Sequence, residues 1–128
     1  MIVTIYAAVY TLIILWLSLK VINNRRKFRV LLGDGGVQEL QIAMGTHSNA
    51  TEYLPIGLLL LAVLELNGAW GWLIHLFGVI LIVGRGYHIN GMFTQRLKYR
   101  VLGMQITIFA LIALAVVNVV YLGFVTLW

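Results

Sequence analysis

Several short polar clusters interrupt a chain that is otherwise hydrocarbon-like. In "THSNATEYLP", Thr46 to Pro55, His47, Asn49, Glu52 and Tyr53 stand directly before the apolar run "IGLLLLAVL". "GRGYHINGM" carries Arg85 and His88, "NNRRKFR" carries Arg25 and Arg26, and Arg100 closes "FTQRLKYR". Ionisable groups are costly within a bilayer, and those retained there usually face a protein interior or a polar cavity and serve a function. Residues three and four apart share a helix face. Asn49, Glu52 and Tyr53 therefore form one stripe with Gln41 and Gly45, and Arg85 and His88 form a second. Glu52 and Arg85 are the expected ion pair, because charges buried in lipid are tolerated chiefly as partners. Arg25, Arg26, Arg85 and Arg100 still outnumber the one acid expected to meet them, Glu52. Such a surplus fits an anionic ligand, since the guanidinium fork suits carboxylates. The plainer reading, polar groups acting only as interhelical glue, ranks second.

These clusters need helices to position them, and the composition says which kind. The chain has 128 residues, of which 62% are hydrophobic and 10% charged. A soluble domain has about 45–50% apolar and about 25% charged residues. The sequence therefore reads as one integral membrane domain spanning residues 1–128. Four spans are expected: Ile2–Val21, Leu40–Leu66, Trp72–Asn90 and Val101–Trp128. Each is about as long as the ~20 residues that cross a hydrocarbon core of roughly 30 Å. "NNRRKFRVLLGDGGVQ" and "FTQRLKYR" read as polar connections, and "NGAWG" as a tight one with Trp70 and Trp72 at the interface. The fold class is thus all-α, a membrane four-helix bundle.

Lys20, Arg25, Arg26, Lys27 and Arg29 mark the first connection, and Arg96, Lys98 and Arg100 mark the third. The second has neither Lys nor Arg. The positive-inside rule then puts the first and third connections in the cytoplasm and both termini outside. The net charge of +5 points to lipid phosphates or a small anion at the membrane edge rather than to nucleic acid. The N-terminal span has no basic residue before it and no small-residue cleavage site after it, and reads as retained.

The remaining signals are weaker. Absence of cysteine excludes a disulfide or a cysteine nucleophile. His47, His75 and His88 have no carboxylate spaced to join them on a helix, so no metal site is expected. Pro55 should kink the second span. "GDGG" lacks the Gly-Lys-Ser/Thr ending of a phosphate loop and reads as a turn. "NAT" at Asn49 matches a glycosylation acceptor but lies on the wrong side of the membrane for use. His75 reads as structural, Glu65 as solvated, and Lys27 as a headgroup anchor.

"SLKVINNRRKFRV", "HSNATEYLP" and "GRGYHINGM", in this order, resemble the membrane-associated proteins in eicosanoid and glutathione metabolism, the MAPEG family. That family includes leukotriene C4 synthase, the microsomal glutathione transferases and microsomal prostaglandin E synthase. The likeness covers nearly the whole chain and is strongest to short bacterial members, which implies a bacterial inner membrane. It implies a homotrimer with glutathione bound between adjacent subunits near the cytoplasmic side. It further implies that Arg25 holds a glutathione carboxylate and that Arg26 assists proton handling. Asn49, Glu52 and Tyr53 would bind the peptide's polar groups, with Arg85 and His88 lining the site and His47 at the position of a contacting glutamine. Arg100 matches the arginine that stabilises the thiolate, with Arg96 as the reserve candidate. The implied activity is a glutathione-dependent transferase or peroxidase acting on a lipophilic electrophile or hydroperoxide. Two positions depart from the pattern: Gly45 replaces an arginine and Met92 a tyrosine. The alternative is therefore a non-catalytic protein of the same fold that binds a lipid or a partner, as the five-lipoxygenase-activating protein does. A third class, a small proton-coupled drug exporter, places its embedded Glu in the first span rather than the second.

Overall fold

A computed structural model describes residues 1–127, with side chains described through residue 124. The chain forms four helices: α1 (Val3–Phe28), α2 (Gln38–Leu66), α3 (Gly71–Phe93) and α4 (Leu97–Leu127). No strand occurs among the described residues. All four are long and apolar enough to cross a membrane, and the protein is an all-α membrane bundle. Helices are favoured because each satisfies its backbone polar groups within itself, where no water is available to do so.

The expected spans are all present, and the largest differences fall at the end of α1 and the start of α4. α1 runs to Phe28 rather than stopping near Val21, so Arg25, Arg26 and Lys27 stand in its last turn and not in a loop. Cations there complement the negative end of the helix dipole, and long basic side chains reach water without the backbone unwinding. α4 likewise begins at Leu97, which makes Leu97 to Arg100 helical and reduces the third connection to Thr94, Gln95 and Arg96. The expected end of the fourth span at Trp128 lies outside the described residues. "GDGG" is a turn: Gly33, Gly35 and Gly36 have φ of 67°, 58° and 72°, in the left-handed region that glycine enters without steric cost. The Asp34 carboxylate accepts the Gly36 N–H at 2.9 Å. α2 remains helical through Pro55.

α3 and α4 form the most extensive contact, α1 packs mainly on α2, and α1 meets α3 through long side chains, Tyr6 against His75 and Tyr10 against Gly78. Among the described residues α1 and α4 make no close backbone approach. The α3–α4 crossing is close because glycine lines it. A Cβ on Gly103 would fall 2.6 Å from the Gly84 carbonyl oxygen, and one on Gly91 would overlap the Arg100 backbone. Small residues are how helices approach closely in lipid, where water does not drive them together. Tyr6, Tyr10, Leu54, Leu61, Phe77 and Leu81 fill the core with Leu114 from α4.

At the end away from the basic connections, Glu65 is half-buried and not simply solvated as expected. Its carboxylate accepts hydrogen bonds from the backbone N–H of Ile2 and of Val3, the latter at 2.8 Å. A carboxylate there satisfies open donors of α1 and complements its dipole. His75, read as structural, lies 2.8 Å through Nδ1 from the Tyr6 hydroxyl.

Candidate functional site

Arg85 organises the polar interior. It sits on α3, two turns before that helix ends, and is 0% exposed. One guanidinium nitrogen donates to Asn49 Oδ1 on α2. Nε and Nη2 both reach Thr107 Oγ1 on α4, at 3.3 and 2.8 Å. Nη2 also lies 3.4 Å from Met104 Sδ, and the guanidinium carbon is 5.5 Å from the centroid of the Tyr53 ring. Every one of these partners is neutral. The Thr107 hydroxyl donates a hydrogen bond to the Gly103 carbonyl at 2.8 Å, so its oxygen lone pairs are left to the guanidinium.

The expected Glu52–Arg85 ion pair is not formed. Glu52 is exposed and accepts a hydrogen bond from Ser48 Oγ at 3.1 Å within its own helix. The reason is rotational. Asn49 lies close enough to the inward face of α2 to take the guanidinium, while Glu52 points out of the bundle. The only ion pair among the described residues joins Lys27 to Glu39 at 3.4 Å, both well exposed. Arg85 thus carries a buried charge that no carboxylate of this chain balances among the described residues.

The other candidates divide into two further groups. Arg100 is exposed at the base of α4 and lines a cavity of about 230 Å³ with Gln38, Ile42, Met92 and Gln95. Gly91 allows this, since any larger residue there would push the Arg100 backbone away from α3. His88, one turn beyond Arg85, is 2% exposed, and its Nδ1 has no hydrogen-bond partner. The third group faces α1. His47 Nε2 is 2.9 Å from Ser18 Oγ. Arg25 donates to the Gly33 carbonyl at 2.8 Å and approaches Met44 Sδ at 3.6 Å. Arg26 is exposed beside Arg25 and Arg29 in a groove of about 500 Å³ at the end of α1. A single chain therefore brings Asn49, Tyr53 and Arg85 together, buries His88 one turn further along α3, sets Arg100 in a neighbouring cavity, and leaves Arg25, Arg26 and His47 on the α1 side.

Two residues of the interior group, Thr107 and Met104, were absent from the sequence reading. Thr107 is a lone hydroxyl in an apolar run, a weak signal, and Met104 gives none. The two departures from the family pattern prove to be neighbours: a Cβ on Gly45 would stand 3.4 Å from Met92 Cε. Both losses of polar character fall at one spot beside the Arg100 cavity.

Comparison with known proteins agrees with this architecture. The model of the MAPEG family matches residues 3–120. The chain is 37% identical over 122 residues to inner membrane protein YecN of Escherichia coli strain K12, covering 95% of this chain and 93% of that protein. YecN of Escherichia coli O6:H1 strain CFT073 is similar to the same extent.

Proposed function

The chain belongs to the MAPEG family, and from that premise we propose that it is a glutathione-dependent transferase or peroxidase of the bacterial inner membrane. Its second substrate is a lipophilic electrophile or hydroperoxide. The observation that carries the reading is Arg85, buried and held only by neutral groups. An anion near it completes a charge balance that the described residues leave open.

The residues present fit glutathione. Its carboxylates suit the arginines, its ammonium suits exposed Glu52, and its amides suit Asn49 and Tyr53. His88 Nδ1, buried without a partner, is a further group available to it. In a homotrimer the α1 side of one subunit meets the interior group of the next. Arg25, Arg26 and His47 then join the same site across the interface. The lack of close α1–α4 approach among the described residues of one chain leaves each helix a face for that contact and a lateral entry for a substrate from the bilayer.

Bound glutathione supplies a sulfur nucleophile, which is weak until ionised. Arg100 is the catalytic residue: a guanidinium beside the thiol favours its ionised form by direct charge attraction. Arg96 is the reserve for that role. Arg25 fixes a carboxylate of the peptide and the buried Arg85 charge attracts the anion from behind Asn49, which holds the sulfur in one place and removes orientational freedom from the reaction. Arg26 assists proton handling from the open end of the bundle. Conjugation of an aryl halide, or reduction of a lipid hydroperoxide, tests the assignment. The expected result is turnover in the parent chain and loss of at least tenfold in Arg100→Ala. Full activity in that variant removes Arg100 from the mechanism.

One observation favours a second reading. With Gly45 and Met92 side by side, the polar grip is reduced at one point. A non-catalytic lipid- or partner-binding protein of the same fold has no need of it. Absence of glutathione binding together with a co-purifying lipid selects that reading.

A further inference from the structure

A groove opens between α1 and α3 toward their basic ends, beyond the turns that Tyr6 and Tyr10 join to His75 and Gly78. Its volume is about 550 Å³, within the roughly 300–1,000 Å³ usual for small-molecule sites. Ile13, Ile82 and Ile89 make its walls apolar. Gly86 keeps it open, since a Cβ built there meets nothing within 4 Å. At the basic end the character changes. Trp16 meets the Phe93 ring edge-on, with centroids 5.8 Å apart. Lys20 Nζ stands 5.3 Å from the centroid of the Trp16 ring, and Asn90 lines the opposite side. Lys20 is exposed and has no carboxylate partner among the described residues.

From this arrangement we infer that the groove is a binding site for an acidic phospholipid, with one acyl chain against the isoleucines and the phosphate at Lys20. The charge pattern selects this occupant. A water-soluble anion gains nothing from the apolar walls, and a zwitterionic lipid brings no net charge to a lone ammonium. Basic pockets between membrane helices are established binding places for acidic headgroups. The Asn90 amide adds a donor on the α3 side of the groove, and a lysine on an apolar wall tends to turn its charged head toward the headgroups. The site is separate from Arg85 and Arg100, and the inference does not rest on the proposed reaction.

The test is native mass spectrometry of the detergent-purified protein given equal amounts of phosphatidylglycerol and phosphatidylcholine. Preferential retention of phosphatidylglycerol is expected. Lys20→Ala should reduce that preference about fivefold, the effect of one basic residue at a charged surface. Gly86→Leu fills the groove and should abolish retention of both lipids, while the melting temperature stays that of the parent. Equal retention of the two lipids, or an unchanged preference in Lys20→Ala, overturns the inference. Unchanged lipid retention in Gly86→Leu also overturns it. Loss of the oligomer in that variant without loss of lipid assigns the groove to a second copy of the chain instead.

Discussion

A fully buried guanidinium surrounded by neutral groups is stable only if its hydrogen bonds are satisfied and its charge is answered from elsewhere. Asn49 and Thr107 meet the first need for Arg85, and the proposed anion would meet the second. Arg85→Ala should therefore lower glutathione affinity by about tenfold, read by calorimetry, because it removes the buried positive charge that attracts the anion and the donor that orients Asn49. Asn49→Ala leaves Arg85 in place but removes its α2 anchor, and a smaller loss is expected. The reverse experiment uses Gly45. A side chain can start there at ordinary contact distance from Met92, so Gly45→Arg should fold and tighten glutathione binding by about tenfold. No gain would show that this position is not part of the anion site. The existence of a polar interior was legible from Arg85 and Asn49 alone, since both stand out against an apolar background. Its wiring was not. Glu52 looked like the partner because charge invites pairing, yet one rotation step around α2 decides which side chain faces inward, and Asn49 has that place.

The four helices were readable from hydropathy because a spanning segment must be long and apolar whatever it packs against. Their basic ends were less so: charged residues suggested loops at Arg25 to Lys27 and at Leu97 to Arg100, whereas both are helical. Hydropathy reports where lipid ends, not where a helix does. The α3–α4 crossing was hidden for another reason. Thirteen glycines occur in the chain, and only the fold tells which of them meet. Gly103→Val should separate the two helices and cost about 1–3 kcal/mol, the usual penalty for overpacking, seen as a lower melting temperature in detergent. Gly86→Ala should leave it unchanged, as open space surrounds that position. Glu65→Ala removes the cap of α1 and should cost about 1 kcal/mol.

At the scale of the whole molecule, the candidate residues lie on two sides of one chain, with His47, Arg25 and Arg26 toward α1 and Arg85 toward α4. A site that uses both needs adjacent subunits. Mixed assemblies of Arg25→Ala and Arg85→Ala chains should then recover part of the activity that each lacks alone, because some interfaces combine the two intact halves. No recovery, with mixing verified by mass, would place the whole site within one chain. In the proposed function this bundle holds glutathione and ionises its thiol through Arg100. The most direct measurement is titration of glutathione into the purified protein while following the ultraviolet absorbance of the thiolate, with Arg100→Ala alongside. Saturable binding with a thiolate signal that vanishes in the variant is the predicted result. An absence of saturable binding, or a thiolate signal undiminished in Arg100→Ala, would contradict it.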